Sequence, residues 1–282
     1  MTSKLTSDVL DRDSFNAIAE LAYRECGLQL VAEKTSMIQS RLRHRLRAVG
    51  LESFSAYATL VCSNDGITER IQMISALTTN VSHFFREQHH FDFFREKILP
   101  KMITSLRAGG RARIWSAGCS NGQEAYSIMM TALECCQDIN SLDFKVLATD
   151  IDPNVVKFAN EAVYPARLTN GIPQNALQKY FEKSTQNGED LFTAKPALRS
   201  NVVFKELNLL SKWPMTKAID VVFCRNVVIY FDTETQNKLW PRFENVMSPN
   251  GHLFLGHSER ISDPHLAGFK SVGPTAYQVV KP

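Results

Sequence analysis

ARIWSAGCSNGQEAYSIMMTALECC, residues 112–136, changes character twice. ARIWSA is a short apolar run of the kind a strand carries when both of its faces are buried. GCSNG is a turn of small residues, and from Gln123 the apolar side chains recur at helical spacing. Strand, glycine-bearing turn and helix in that order open an α/β unit. Downstream, FKVLATD (144–150) is a second strand, followed by Asp152 and Pro153, a capping oxygen and a first-turn proline that start a helix. VVFKELN (202–208), DVVFCRN (220–226) and HLFLG (252–256) add three more apolar strands. The expectation is a doubly wound α/β domain with a mostly parallel sheet over residues 111–282. FKSVGPTAYQVV (269–280) reads as an antiparallel pair that finishes the sheet. KYFEKSTQNGEDLFTAK (179–195) interrupts the alternation with a hairpin centred on Asn187-Gly188. Its sequence fits an ordinary surface hairpin and a recognition element equally.

Upstream the pattern is helical. Phe15, Ile18, Ala19, Ala22 and Tyr23 share a face that stops at Gly27, and Ile38, Leu42, Leu46 and Val49 mark a helix ending at Gly50. Phe54, Tyr57, Ala58 and Val61 predict a third helix, and Ile71, Ile74 and Leu77 a fourth. Residues 1–80 are therefore expected to form an all-α domain, with 81–110 a linker between it and the sheet. That domain balances nine basic against nine acidic residues, yet Lys34, Arg41, Arg43, Arg45 and Arg47 precede the next acid, Glu52. Arg41 and Arg45, four apart, share one helix face as a cationic ridge, opposite Ile38, Leu42 and Leu46. The ridge suits an acidic partner helix, and equally a solvated surface.

The 282 residues are 44% hydrophobic and 22% charged, which excludes a disordered or fibrous chain. A net charge of +3 argues against a nucleic-acid coat protein. No run reaches the ~18 apolar residues of a membrane helix, and MTSKLTSDVLDRDSF lacks the apolar core of a signal peptide. The six cysteines form no C-x-x-C pair and read as reduced thiols of a cytoplasmic protein.

Four stretches could carry chemistry. In AGCSNGQE (117–124), Gly118 and Gly122 permit a sharp turn and close approach of a ligand, or simply a tight ligand-free turn. Glu124 in the first helical turn repels a pyrophosphate and attracts a cationic amino-acid moiety. Asp150, at a strand end, suits the two hydroxyls of a ribose, because Asp152 already serves as the helix cap. CRNVVIYF (224–231) sends Arg225, Asn226 and Tyr230 beyond the carboxyl end of a strand, where open α/β sheets bind ligands, or equally ends the buried run VVFC with plain strand-end polarity. TTNVSHFFRE (78–87) joins the two parts and combines small polar groups, aromatics and Arg86. His83, His89 and His90 match no zinc signature, and no cysteine or carboxylate completes them in the sequence, so no metal is expected.

Taken together, TTNVSHFFRE, WSAGCSNGQEAYSI (115–128), LATDID (147–152), ELNLL (206–210) and CRNVVIYF resemble the chemotaxis receptor methyltransferases of the CheR type, in order and spacing, over nearly the whole chain. The resemblance implies a Rossmann-like sheet with a small inserted antiparallel β-subdomain at about 172–200. It implies S-adenosylmethionine as methyl donor, S-adenosylhomocysteine as product, and esterification of glutamate side chains on the cytoplasmic helices of chemoreceptors. Asn80, Ser82, Arg86, Glu124, Asp150, Asn208, Leu209, Arg225 and Asn226 match the family's cofactor pocket. Ser82 stands where related sequences often carry threonine. Asp150 would hold the ribose, and Asn208, Leu209 and Asn226 would surround the adenosine. Arg86 and Glu124 would serve the methionine end and the methyl-transfer centre. As catalytic residues, Arg86 is expected to orient the incoming carboxylate and the Tyr230 hydroxyl to position the methyl-donor end. Arg41 and Arg45 would dock the receptor, and the hairpin a receptor's C-terminal tether peptide. The competing expectations are a methyltransferase acting on RNA or a small molecule, and a non-catalytic cofactor-sensing module.

Overall fold

The structure, a computed structural model, describes residues 9–215 and 218–280. The first eight residues of the stretch read as lacking a leader lie outside the described residues. The chain divides into two compact units: the part up to Thr79 together with Tyr230–Thr235, and Asn80–Ile229 together with the part from Gln236 onward.

The first unit is helical. α1 (Arg12–Cys26) starts where the Asp11 carboxylate accepts from Ser14 N at 2.9 Å, and it ends at Gly27 in the left-handed conformation, φ 70°. α2 (Thr35–Ala48), α3 (Phe54–Cys62) and α4 (Ile67–Leu77) follow. Ile18, Leu21, Ile38, Leu42, Leu46, Tyr57, Val61 and Met73 are buried, as the helical spacing of their apolar neighbours requires. The face of α2 that carries Arg41 and Arg45 is turned onto α4 and its end. Arg41 donates to the Leu77 and Thr78 carbonyls (2.8 and 3.0 Å) and to Thr79 Oγ1 (2.9 Å). Arg45 grips Glu69 with two bonds of 2.9 and 2.6 Å, and the Tyr57 hydroxyl donates to the same carboxylate at 2.7 Å. The two arginines therefore do structural work within this unit.

In the second unit, residues 88–107 of the expected linker are helical. α5 (Gln88–Phe93) runs through a π-turn at Phe94–Ile98 into α6 (Leu99–Arg107). The π-turn precedes Pro100, which has no N–H to continue the ladder. Then come β1 (Ala112–Ala117), α7 (Gln123–Cys135), β2 (Phe144–Asp150), α8 (Pro153–Glu161), β3 (Val163–Pro165), α9 (Gln174–Tyr180), β4 (Phe181–Gln186) and β5 (Glu189–Ala194). α10 (Pro196–Arg199), β6 (Val202–Glu206), β7 (Ile219–Cys224), α11 (Thr233–Val246, its first three residues counting with the helical unit), β8 (Met247–Leu255), β9 (Phe269–Gly273) and β10 (Ala276–Val279) complete the order.

Seven strands form one sheet in the order β6-β2-β1-β7-β8-β10-β9. β6 to β8 are mutually parallel, in register from Ala112↔Phe144 to Ala117↔Thr149 between β1 and β2, and β10 returns antiparallel on β8 and β9. The expected strands are thus present, with the terminal antiparallel pair on the sheet edge. The hairpin turns at Asn187-Gly188 and belongs to a second sheet, β3-β5-β4, whose short third strand lies ahead of the expected insert.

Consecutive parallel strands require helical crossovers, so the carboxyl ends of β1, β2, β6 and β7 share one edge. Phe223 of β7 anchors α5 and the π-turn to the sheet. It stacks on Phe91 (5.8 Å between ring centroids), meets Phe94 edge-on at 5.9 Å and lies 4.7 Å from Phe254. Phe223 is fully buried, so Phe223→Ala is expected to lower the free energy of unfolding by about 3–5 kcal/mol. Denaturant unfolding checks this, and a loss below about 1 kcal/mol would mean that this aromatic layer does not hold the helices.

Candidate functional site at the carboxyl edge of the sheet

The turn after β1 is shaped by close approach. Gly118 has φ 86°, and a Cβ there would lie 2.2 Å from Val227 Cγ2, on the turn that follows β7. Gly118 N and Cys119 N both donate to the Thr149 carbonyl, at 2.8 and 2.9 Å. Ser120 N donates to Asp150 Oδ2 at 2.8 Å and Asp152 N to Oδ1 at 3.1 Å, while Leu207 N donates to the Asp150 carbonyl at 2.8 Å. Asp150 is buried. Burial raises its pKa and the backbone N–H bonds offset only part of that. Each of its oxygens keeps accepting capacity for a further donor. Asp152 caps α8 through Asn154 N at 2.9 Å, as expected, and its other oxygen accepts from Asn80 Nδ2 at 2.7 Å. Ser120 Oγ donates to the Asn80 carbonyl at 2.8 Å. Asn80 is thereby fastened to the turns after β1 and β2.

A second cluster centres on Arg225. Its Nη1 reaches Glu124 Oε2 at 3.1 Å and its Nη2 reaches Glu87 Oε2 at 3.3 Å; Nη2 also donates to the Arg86 carbonyl. Ser116 Oγ donates to Glu124 Oε1 at 2.6 Å. Burial pushes the Glu124 carboxyl above its ordinary value, and Arg225 and Ser116 recover only part of it. At Glu87 burial also pushes upward, but Arg225, the His257 donors and His90 outweigh it and the net displacement is downward. Neither the Glu87 Oε2 nor the Arg225 Nε makes an aligned hydrogen bond, so the Glu87 contact is ionic and the guanidinium keeps one unused buried donor. Arg86 lies between Phe85 and Glu87, both at positive φ (54° and 56°). This strained turn is fixed by Arg225 on the Arg86 carbonyl and by Ser127 Oγ, which accepts from Phe85 N at 3.0 Å. The Arg86 guanidinium donates to the Val81 carbonyl at 3.1 Å, and Ser82 is half-buried in the same segment.

Asn208 and Leu209 follow β6 at the same edge. Asn208 Oδ1 accepts from Leu210 N at 2.9 Å, an Asx turn, and the buried Leu209 offers its carbonyl to Trp213 Nε1 at 3.0 Å and Arg242 Nη1 at 2.6 Å. Asn226 is left-handed, φ 60°, and its N–H donates to Glu259 Oε2 at 2.8 Å. Nine expected residues, from Asn80 to Asn226, thus fall in one unit. Tyr230 belongs to the helical unit, where its hydroxyl donates to the Thr79 carbonyl at 3.4 Å. Arg41 and Arg45 lie in that unit as well.

The sequence reading missed Glu87, Ser116, Ser120, Ser127 and Glu259. Glu87 was within reach, as the only acid in TTNVSHFFRE. Glu259 carries no sequence signal, because the loop it serves is distant along the chain. The expectation that no carboxylate accompanies the histidines is corrected. Left-handed Glu87 turns back toward His90, placing Oε2 3.5 Å from Nδ1, and Glu87, His89 and His90 have candidate ligand atoms within 4.8 Å of one another. A metal ion fits this group poorly, since Arg225 Nη2 already stands 3.3 Å from the same oxygen and would face the dication. Two carboxylates, Glu87 and Glu124, share one guanidinium that keeps an unused donor, and with Asp150 on the same edge of the sheet they suit a cationic ligand with polar oxygens. No helix among the described residues is long and apolar enough to cross a membrane.

Two family models match the chain: "CheR methyltransferase, all-alpha domain" over residues 13–78 and "CheR methyltransferase, SAM binding domain" over residues 80–277. A probable chemotaxis protein methyltransferase of Rhizobium etli is 40% identical over 258 residues, 92% of this chain and 96% of the relative. The chemotaxis protein methyltransferases of Escherichia coli and Borreliella burgdorferi are each 37% identical. The former covers 100% of this chain and 94% of the relative, the latter 89% of each.

His90 provides a test of the Arg225 cluster. Its Nε2 lies 2.9 Å from Thr275 Oγ1 and 3.2 Å from the Pro274 carbonyl. Burial first, then Arg225 and His89, push its pKa down to about 3. A histidine depressed on folding stabilises the native state above its unfolded value near ~6.5, and that contribution is lost as pH falls from there toward the folded value. Between pH 7 and 5 His90 alone should remove about 2 kcal/mol. His252, pushed down to about 4, adds to the wild-type slope, so the comparison is with His90→Gln. Urea unfolding at the two pH values should show that variant losing about 2 kcal/mol less than wild type, whereas parallel losses would contradict the burial of a neutral imidazole.

Proposed function

The chain belongs to the CheR methyltransferase family, and on that footing we propose that it esterifies glutamate side chains on the cytoplasmic helices of chemoreceptors. S-adenosylmethionine supplies the methyl group on a sulfonium, an electrophile that needs no metal or base to be activated. The observation that carries the reading is the Glu87–Arg225–Glu124 cluster beside Asp150 at the strand ends. Its excess negative charge favours a sulfonium and an α-ammonium over a polyphosphate. Asp150 accepts the ribose hydroxyls, and Asn208, Leu209 and Asn226 line the adenosine. Asn80, Ser82, Arg86, Glu124 and Arg225 serve the methionine end.

An acceptor glutamate has an unperturbed pKa of ~4.3, so it arrives as a carboxylate at neutral pH and no residue has to remove a proton. What remains for the protein is alignment and exclusion of water around an in-line displacement in which opposite charges vanish. Arg86 orients the incoming carboxylate, and Tyr230, on its position in CRNVVIYF, steadies the donor end. Methyl transfer from labelled donor to receptor fragments should give an alkali-labile ester. Arg86→Ala and Tyr230→Phe should lower turnover about 10²-fold with little change in melting temperature. Unchanged turnover in both, or an alkali-stable product, would contradict the assignment.

Receptor docking is assigned to α2. Arg45 has its charge matched by Glu69, whereas the partners of Arg41 among the described residues are neutral, so Arg41 keeps a net positive charge for an acidic helix. The edge strand β4 leaves backbone groups that a receptor's C-terminal tether peptide could pair with as an added strand. Arg41→Gln should raise KM for the receptor fragment with kcat unchanged, and salt should weaken the wild type toward the variant, since exposed charge attraction is screened beyond about 10 Å at 0.1 M. Equal KM values at low salt would remove Arg41 from docking.

A further inference from the structure

Glu259 lies in GHSERISD (256–263), just past β8, and is 3% exposed. Among the described residues it has no cationic partner. Its carboxylate is instead wrapped in backbone donors. Oε2 accepts from Asn226 N at 2.8 Å and from Gly256 N at 2.6 Å, and Oε1 accepts from Ile229 N at 3.1 Å. Two of these donors belong to the turn after β7, where Asn226 adopts φ 60°. The site is tight. A Cβ on Gly256 would stand 2.6 Å from Asn226 Nδ2 and 2.8 Å from both Asn226 N and Glu259 Oε2. A left-handed residue next to Arg225 determines in which directions neighbouring side chains leave the chain. Arg225 leaves toward Glu124 and Glu87, while the Asn226 amide lies over Gly256.

We propose that Glu259 is a positioning residue for donor binding: its carboxylate is the buried anion around which the Asn226–Ile229 turn is folded. It thereby sets the directions of Arg225 and Asn226. It touches neither donor nor acceptor. Gly256 completes the device by letting the Asn226 amide approach. The inference deepens the proposed function and rests on the donor site assigned there.

Glu259→Gln keeps the volume but puts an NH₂ against one set of backbone donors. A methyl donor that must first reorder the displaced turn binds more weakly, and the expected tenfold loss corresponds to about 1.4 kcal/mol. Gly256→Ala presses on the same Asn226, and on the Glu259 carboxylate with it, without altering charge. The measurements are calorimetric Kd for S-adenosylhomocysteine, KM for a receptor fragment, and melting temperature, on the full chain. Both variants are expected to weaken S-adenosylhomocysteine about tenfold while KM for the receptor fragment stays within about twofold of wild type. Lower melting temperature with unchanged Kd, or equal losses for both ligands, would assign a merely structural role and overturn the inference. If Glu259→Gln fails to fold, Gly256→Ala decides by the same readouts. Wild type that takes up no S-adenosylhomocysteine overturns the donor site and this inference with it; wild-type uptake with unaltered variants overturns this inference alone.

Discussion

Arg225 is the group on which the candidate site depends. One guanidinium, almost completely buried, is shared between Glu124 at the start of α7 and Glu87 in the segment leading into α5, and it also holds the Arg86 carbonyl. Two separate stretches of chain are thereby tied to the end of β7. Removing charges from water is costly, and a buried pair recovers that cost only with good geometry and further hydrogen bonds. Glu124 has such a bond from Ser116, and Glu87 from His257 N and Nδ1 at 3.1 and 3.2 Å. The unequal displacement of the two carboxyls follows. Glu124 is the more deeply desolvated and is pushed up, while Glu87 has more donors and is pulled down.

The sheet makes this arrangement rigid. Parallel strands deliver four loops to one edge, and backbone bonds between those loops fix their spacing, as with Gly118 N and Cys119 N on Thr149 and Leu207 N on Asp150. Half of the eight non-glycine residues at positive φ among the described residues lie where side chains must be aimed. Phe85, Glu87, Ser120 and Asn226 are all non-glycine residues at positive φ, and all four lie in the loops that form the site. Such conformations persist when the surroundings over-determine them. Here Ser127, Arg225, Asp150 and Glu259 do so, each through a hydrogen bond to the backbone of the strained residue or its neighbour.

Much of the fold was legible because its signals are local. Uninterrupted apolar runs such as DVVFC mark buried strands, Asn187-Gly188 marks a hairpin, and Asp152-Pro153 marks a helix start that the structure places at Pro153. The three-residue β3 and the helical character of residues 88–107 were harder to read. The first is too short for a period, and the second depends on Phe91 and Phe94 finding Phe223, a tertiary contact. The site divides in the same way. Residues beside glycine turns and strand ends were singled out by position, and the remainder by family resemblance. Glu259 and the Glu69 partner of Arg45 were invisible, because each works through a contact that only the folded chain creates.

The central claim is that a sulfonium donor lies along the β1 turn, with its ribose on Asp150 and its charged end toward the Arg225 cluster. A crystal structure of the chain with S-adenosylhomocysteine tests this most directly. The account predicts ligand density against Gly118–Glu124, with both ribose hydroxyls within hydrogen-bond distance of the Asp150 carboxylate. Ligand density elsewhere on the molecule, with that edge of the sheet filled only by water, would contradict it.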